Sequence, residues 1–205
     1  MPIISSVLPP SQSLHQTASV RPSMPRLFIA IDLPERIKDD ITATYVALPG
    51  ARWIDEAHLH LTLRFIGEVP GDVADRIANA LRSVSGPSFS LTMKNVGFFP
   101  PRREPRILWA GVAENEELMR LQARIERSLI AVGIDPDGRK FHPHVTVARL
   151  NGTPSHKVAP YVTHHSLFAT EQFSVSAFHL YSSFLRKEGA HHERIASYEL
   201  QKEVL

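Results

Sequence analysis

The chain is 205 residues long, with 23 Lys and Arg against 21 Asp and Glu, 11 His and no Cys. Without cysteine it can build no disulfide framework, no thiolate nucleophile and no Cys-ligated zinc or iron–sulfur centre; a metal site would need His and carboxylates. A hydrophobic share of 43% suffices for a core, no run approaches the roughly 20 apolar residues of a spanning helix, and a net charge of +2 permits an anionic partner without requiring one.

Residues 1–25 carry five prolines and six serines with no apolar periodicity, a composition that cannot repay the entropy of folding. They read as a disordered tail, with Met24 a candidate start. No basic lead and apolar run of a secretory signal precede the ordered chain, so the cytoplasm is the expected compartment. From Arg26, the run Leu27–Leu33 predicts a buried strand. Ile37, Ile41, Tyr45 and Leu48 then recur at helical spacing up to Pro49-Gly50. A strand is predicted over Ala57–Phe65, a helix through Val73, Ile77, Leu81 and Val84, and a strand over Phe89–Phe99. The segment 100–105, with Arg102 and Arg103, reads as an exposed connection.

The second half repeats this order. Ile107–Val112 predicts a strand, and Leu118, Leu121, Ile125 and Leu129 a helix capped by Asn115 and stopped by Gly133. Phe141–Ala148 reads as a strand, 155–165 as a weak helical or irregular stretch, and Phe173–Ser183 as a strand. His60-Leu61-Thr62-Leu63 and His144-Val145-Thr146-Val147 lie 84 positions apart, and Phe89-Ser90-Leu91 and Phe173-Ser174-Val175 share that offset. Two coincidences at one offset argue for an internal duplication. The expected fold is α+β: two pseudo-symmetric lobes, each an antiparallel sheet with helices on its outer side, facing across a central cleft. One bilobal domain over 26–205 follows, with repeat halves near 26–100 and 105–200.

Strand alternation puts His58, His60, Thr62 and Arg64 on one face and Leu59, Leu61, Leu63 and Phe65 on the other. In the second copy His142, His144 and Thr146 share a face. Two-fold symmetry would bring His60, Thr62, His144 and Thr146 around one point. That set suits in-line displacement at phosphorus: one imidazole takes a proton from water, the other protonates the departing oxygen, and the hydroxyls donate to the phosphoryl oxygens. No cofactor or metal is required. The spacing His58-x-His60 and His142-x-His144 could also bind a metal, although neither strand carries a carboxylate beside its pair.

These motifs resemble the paired His-x-Thr signatures of the two-histidine (2H) phosphoesterases, and within them the RNA 2′,3′-cyclic phosphodiesterases, also described as 2′-5′ RNA ligases. The resemblance runs from about Arg26 to Leu200. It includes Arg26–Pro34, Trp53, Phe98-Phe99-Pro100, Arg106–Gly111, Pro143 and Leu180-Tyr181-Ser182-Ser183. It implies hydrolysis of a terminal 2′,3′-cyclic phosphate to a 2′-phosphomonoester, with reverse 2′-5′ ligation allowed by microscopic reversibility. By the same resemblance His60 is the proton donor, His144 the acceptor, and Arg149 holds phosphate with Thr62 and Thr146. Strict alternation would turn Arg149 to the apolar face, so it reaches the cleft only if the strand ends or bulges there. Where relatives carry an aromatic residue shortly after the glycine equivalent to Gly189, this chain has His191-His192.

Partners are therefore expected to be RNA ends or nucleotides bearing a 2′,3′-cyclic phosphate, without a membrane or an obligate protein partner. The alternatives are the same chemistry on small cyclic nucleotides or an ADP-ribose cyclic phosphate, and a non-catalytic module gripping nucleotides or RNA ends. Trp53, Trp109, Phe98, Phe99 and Tyr181 are candidates for base stacking, with core packing the commoner role of such rings. Arg102, Arg103, Arg106, Arg186 and Lys187 could steer phosphates or simply be solvated.

Overall fold

Both sequence coincidences become residue pairs in antiparallel β-ladders: Leu61 pairs with Val145 between the two His-x-Thr strands, and Ser90 pairs with Ser174 between the two Phe-Ser segments. An antiparallel pair between residues that are equivalent in two repeats is what a local two-fold axis produces. The structure, a computed structural model, describes residues 24–100, 104–186 and 189–201. The predicted tail lies outside these apart from Met24 and Pro25, as do Arg102, Arg103 and Lys187.

The first half runs β1 (Arg26–Asp32), α1 (Glu35–Thr42), β2 (Ala51–Trp53), a 3₁₀ turn (Glu56–His58), β3 (His60–Glu68), α2 (Gly71–Leu81), β4 (Phe89–Leu91) and β5 (Met93–Phe99). The second runs β6 (Ile107–Val112), α3 (Glu116–Ala131), β7 (His144–Leu150), α4 (Ser155–His164), β8 (Phe173–Val175), β9 (Ala177–Arg186) and β10 (Gly189–Glu199). The large sheet has the order β10-β9-β1-β3-β7-β6-β5, with β2 on the far end of β7; β4 and β8 form a second, two-stranded sheet. Contrary to one lobe per half, β9 and β10 of the second half join β1 and β3 of the first, and β2 and β5 of the first join β7 and β6 of the second. Each lobe is thus an antiparallel sheet built from both halves, and the lobes meet at the β3–β7 pair.

Leu61, Leu63, Val145 and Val147 bury one face of this junction, in one core with Ile37 and Ile41 of α1, Ile77 and Leu81 of α2 and Leu118, Leu121, Ile125 and Leu129 of α3. Each fully buried Leu or Ile there contributes about 1.5–3 kcal/mol. Asn115 caps α3 by accepting from the Leu118 N–H at 2.9 Å, with Glu116 and Glu117 in the first turn, and Gly133 follows its end at φ +89°.

Several predicted elements are cut differently. The strand expected over Ala57–Phe65 starts only at His60, because Asp55 accepts from the Ala57 N–H and folds Glu56–His58 into the turn. Phe89–Phe99 and Phe173–Ser183 each split, at Thr92 and Ser176. Their carbonyls are drawn off the strand to accept from Ala113 and Leu200, so β4 and β8 leave the main sheet together. The helix expected to reach Leu48 ends at Thr42, and the weak stretch at 155–165 is a helix despite Pro160, held by buried Val158 and Tyr161.

Candidate active site

The face of the β3–β7 junction opposite the core carries the four predicted residues. With Leu61 opposite Val145, alternation sets His60 beside Thr146 and Thr62 beside His144, all on the same side. His60 and His144 are then diagonal neighbours, a relationship that separates Cα atoms by about 7–8 Å. His60, Thr62 and Thr146 line a cavity of about 790 Å³ together with Phe28, Trp53, Phe65, Arg149 and His192.

Both motif histidines are held the same way. Nδ1 of His60 lies 2.7 Å from the carbonyl oxygen of His58, and Nδ1 of His144 lies 2.7 Å from that of His142. A carbonyl only accepts, so Nδ1–H must donate in both rings, which leaves Nε2 of each neutral ring with its lone pair. His58 and His142 thus fix the motif rings through their carbonyls, and the His58 side chain also lines the cavity against His192. The side chain of His58 sits in the 3₁₀ turn instead of sharing a strand face with His60, and that of His142 packs on Phe99 and Trp109. Among the described residues no three His, Asp or Glu side chains are grouped as a metal site would require.

Burial pulls the pKa of both His60 and His144 below the usual histidine value. At His60 the Asp32 carboxylate opposes that shift. Asp32 pairs with His60 across β1 and β3, whereas the residue pairing with His144 from β6 is Gly111. Asp32 is itself fixed by the Tyr181 hydroxyl and by Arg194, both of which donate to it, and His179 Nε2 lies 3.8 Å away. The two copies therefore share a backbone frame and differ in the charge beside it.

Arg149 does reach the cavity, and the reason is a bulge. Along β6–β7 the register steps from Trp109↔Thr146 to Leu108↔Ala148, leaving Val147 as an extra residue, and the facing reverses beyond it. The first copy bulges at the same place: Ala30↔Thr62 is followed by Ile29↔Arg64. Arg64, expected beside His60 and Thr62, is consequently turned to the helical side, where it donates to Glu126 at 2.9 Å and to the Asp135 carbonyl at 2.6 Å. Phe65, expected in the core, lines the cavity.

Of the aromatic candidates, Tyr181 stacks on Phe28 at 5.2 Å between ring centroids and Phe28 lies 4.9 Å from His60. Phe99 packs edge-on to His144 at 5.2 Å. Trp53 forms part of the cavity wall while its Nε1–H donates to the Val46 carbonyl, and Phe98 packs against the core. His192, from β10, stands 5.3 Å from both His58 and His60, edge-on to each. Sequence reasoning missed Asp32, Arg194 and Arg52 as site residues, because each is brought in by a strand pairing rather than by a motif.

A model of the 2′-5′ RNA ligase superfamily matches residues 33–183, and the chain belongs to this family of α+β two-histidine phosphoesterases. The RNA 2′,3′-cyclic phosphodiesterase of Thermotoga maritima is 36% identical over 172 residues, which span 80% of this chain and 89% of that protein. The protein of that name from Archaeoglobus fulgidus is 32% identical over 167 residues, 80% of this chain and 94% of its own. The one from Aeropyrum pernix is 38% identical over 118 residues, 57% of this chain and 65% of that relative. Among solved structures, a phosphoesterase superposes with a TM-score of 0.71 at 25% identity, covering 87% of this chain and 99% of that one. Escherichia coli LigT, solved with 3′-AMP, shares the fold with a TM-score of 0.70 at 24% identity over the same shares. No helix among the described residues is long and apolar enough to cross a membrane.

Proposed function

We propose that this chain hydrolyses terminal 2′,3′-cyclic phosphates of RNA to 2′-phosphomonoesters by general acid and base catalysis from His60 and His144. The observation that carries the reading is the pair of repeat-equivalent imidazoles, each fixed through Nδ1 by the carbonyl two residues earlier and set diagonally across the β3–β7 junction. The protein is a cyclic phosphodiesterase, as its relatives are named.

In this mechanism Nε2 of His144 takes a proton from water as the water oxygen bonds to phosphorus. The bond from phosphorus to O3′ breaks, and Nε2–H of His60 gives its proton to O3′. Thr62 and Thr146, one from each copy, donate to the non-bridging oxygens, and Arg149 supplies a positive charge from the cavity wall. The role assignment is favoured by Asp32: a carboxylate beside His60 stabilises the imidazolium that an acid must begin as, and His144 has glycine in that place. None of these steps routes through a metal. Residues 26–205 act as one bilobal unit in this reading, because each half supplies one His and one Thr.

The test is product analysis after incubation with an oligoribonucleotide ending in a 2′,3′-cyclic phosphate, in the presence of EDTA. A 2′-phosphate is expected; a 3′-phosphate would reverse the leaving group, and no turnover by the wild-type chain would end the reading. His60→Ala and His144→Ala should each lower kcat by about 10²-fold or more.

A further inference from the structure

Arg52 and Arg149 are directly opposite each other in the β2–β7 ladder, so their side chains leave the sheet on the same face. Like charges in that position are destabilising. Both are exposed and both line the cavity, and Arg26 of β1 lines it from the other side of the β3–β7 junction with its guanidinium 4.9 Å above the Phe65 ring. Among the described residues no carboxylate stands within ion-pair distance of any of the three. Asp55 is the one carboxylate in the cavity lining, and its side chain accepts from the Ala57 N–H. Three guanidiniums against one engaged carboxylate leave an excess that a cyclic mononucleotide, with its single negative charge, does not match.

The positions separate the charges as well. Arg149 follows Thr146 by three residues, but with Val147 bulged the pair advances only from Trp109 to Ile107 along β6, about 6.6 Å at about 3.3 Å per residue. Arg52 lies on the strand beyond Arg149, on the opposite side from β6. One phosphate held by Thr62 and Thr146 with Arg149 beside it leaves Arg52, about 4.8 Å further on across the next strand, for a second phosphate.

We propose that Arg52, opposite Arg149, binds the phosphodiester that precedes the cyclic phosphate, which makes an RNA oligomer, and not a cyclic mononucleotide, the substrate this cavity selects. The proposal rests on the phosphodiesterase reading for the chemistry at the end of the chain and adds the specificity for what lies before it. The like-charge pair at Arg52 and Arg149 is then a site built for an anion, and its repulsion is relieved when that phosphate is seated.

The experiment compares a cytidine 2′,3′-cyclic monophosphate with a trinucleotide ending in the same group, for the wild-type chain and for Arg52→Gln, across a series of salt concentrations. Binding of a trinucleotide ending in a 2′-phosphate is measured in parallel by fluorescence anisotropy. The wild type is expected to favour the trinucleotide by at least about tenfold in kcat/KM, and R52Q to lose most of that preference through KM. One lost phosphate contact should also flatten the slope of log affinity against log salt by about 0.7, the single-strand value. Equal kcat/KM for the two substrates in the wild type, or an R52Q variant that binds the trinucleotide with unchanged affinity and salt slope, would overturn the proposal while leaving the phosphodiesterase reading intact. Arg52-dependent binding without hydrolysis would do the reverse. R52Q removes a repulsion at an exposed position, so its thermal midpoint should match or exceed that of the wild type, and an unfolded variant would itself contradict the proposed like-charge strain.

Discussion

His192 packs edge-on against the proposed acid, 5.3 Å from the His60 ring. Its own pKa is pushed down to about 4, first by burial and then by the positive fields of His60 and His58, so near neutral pH it faces His60 as an uncharged ring. His60 and His144 are also drawn by burial below the ordinary histidine value near 6.5. A base must be neutral and an acid charged, and kcat/KM reports the free enzyme. The profile of kcat/KM should therefore be a bell with its maximum below about pH 6.5. The kcat optimum should lie higher, because a bound phosphate stabilises both imidazolium forms. A carboxylate placed against His60 should act as the phosphate does: His192→Glu is expected to raise the alkaline limb by about one pH unit or more. Asp32→Asn removes the field that now favours the His60 cation, and its alkaline limb should move to lower pH. Limbs that stay fixed in both variants would remove His60 from the role of acid.

At the scale of elements, the two halves keep one backbone plan and exchange large for small side chains upon it. On one side of the β3–β7 junction the row reads Thr62, Ala30, His179; on the other it reads Thr146, Trp109, Gly97. The Trp109 indole fills the face beside His144 and packs against His142 and Phe99. It lies where a Cβ on Gly97 would be, and it presses close to Gly111 as well. Gly97→Ala should thus displace the indole, with a loss of about 1–3 kcal/mol in denaturant unfolding and a fall in activity through the disturbed His142–His144 segment. The twin bulge of β3 serves a different end. It sends Arg64 into a partly buried pair with Glu126 and Asp137, its side chain only 9% exposed. Arg64→Met strands Glu126, while Asp137 keeps Arg139, and a destabilisation of about 3 kcal/mol is expected, with kcat of the folded fraction retained because Arg64 faces away from the cavity.

The whole molecule should become less stable as the solution is acidified through the range of its histidines. His60, His144, His165, His179 and His192 all have folded-state pKa values lowered mainly by burial. A group of this kind binds its proton more readily when unfolded. Its contribution is complete above the unfolded value near 6.5 and is lost as pH falls through the folded one. Thermal midpoints measured from about pH 7 down to 5 should decline steadily, and His192→Phe should make that decline shallower. A flat profile over that range would contradict the burial of these rings.

Periodicity and a constant offset of 84 positions, properties of the chain read in one dimension, were enough to mark the repeated strand motifs, the helices of strong apolar period and the candidates His60, Thr62, His144 and Thr146. The sequence also posed the right question about Arg149, whose facing depended on whether a bulge intervened. The bulge at Val147 and its twin at Leu63, the exchange of faces by Arg64 and Phe65, and the approach of Asp32, His192 and Arg52 to the histidine strands emerge only once the chain is folded. Each of those outcomes follows from strand register and from which strand lies next to which. Such pairings join residues as distant as Asp32 and Arg194, and no local pattern in the sequence records them.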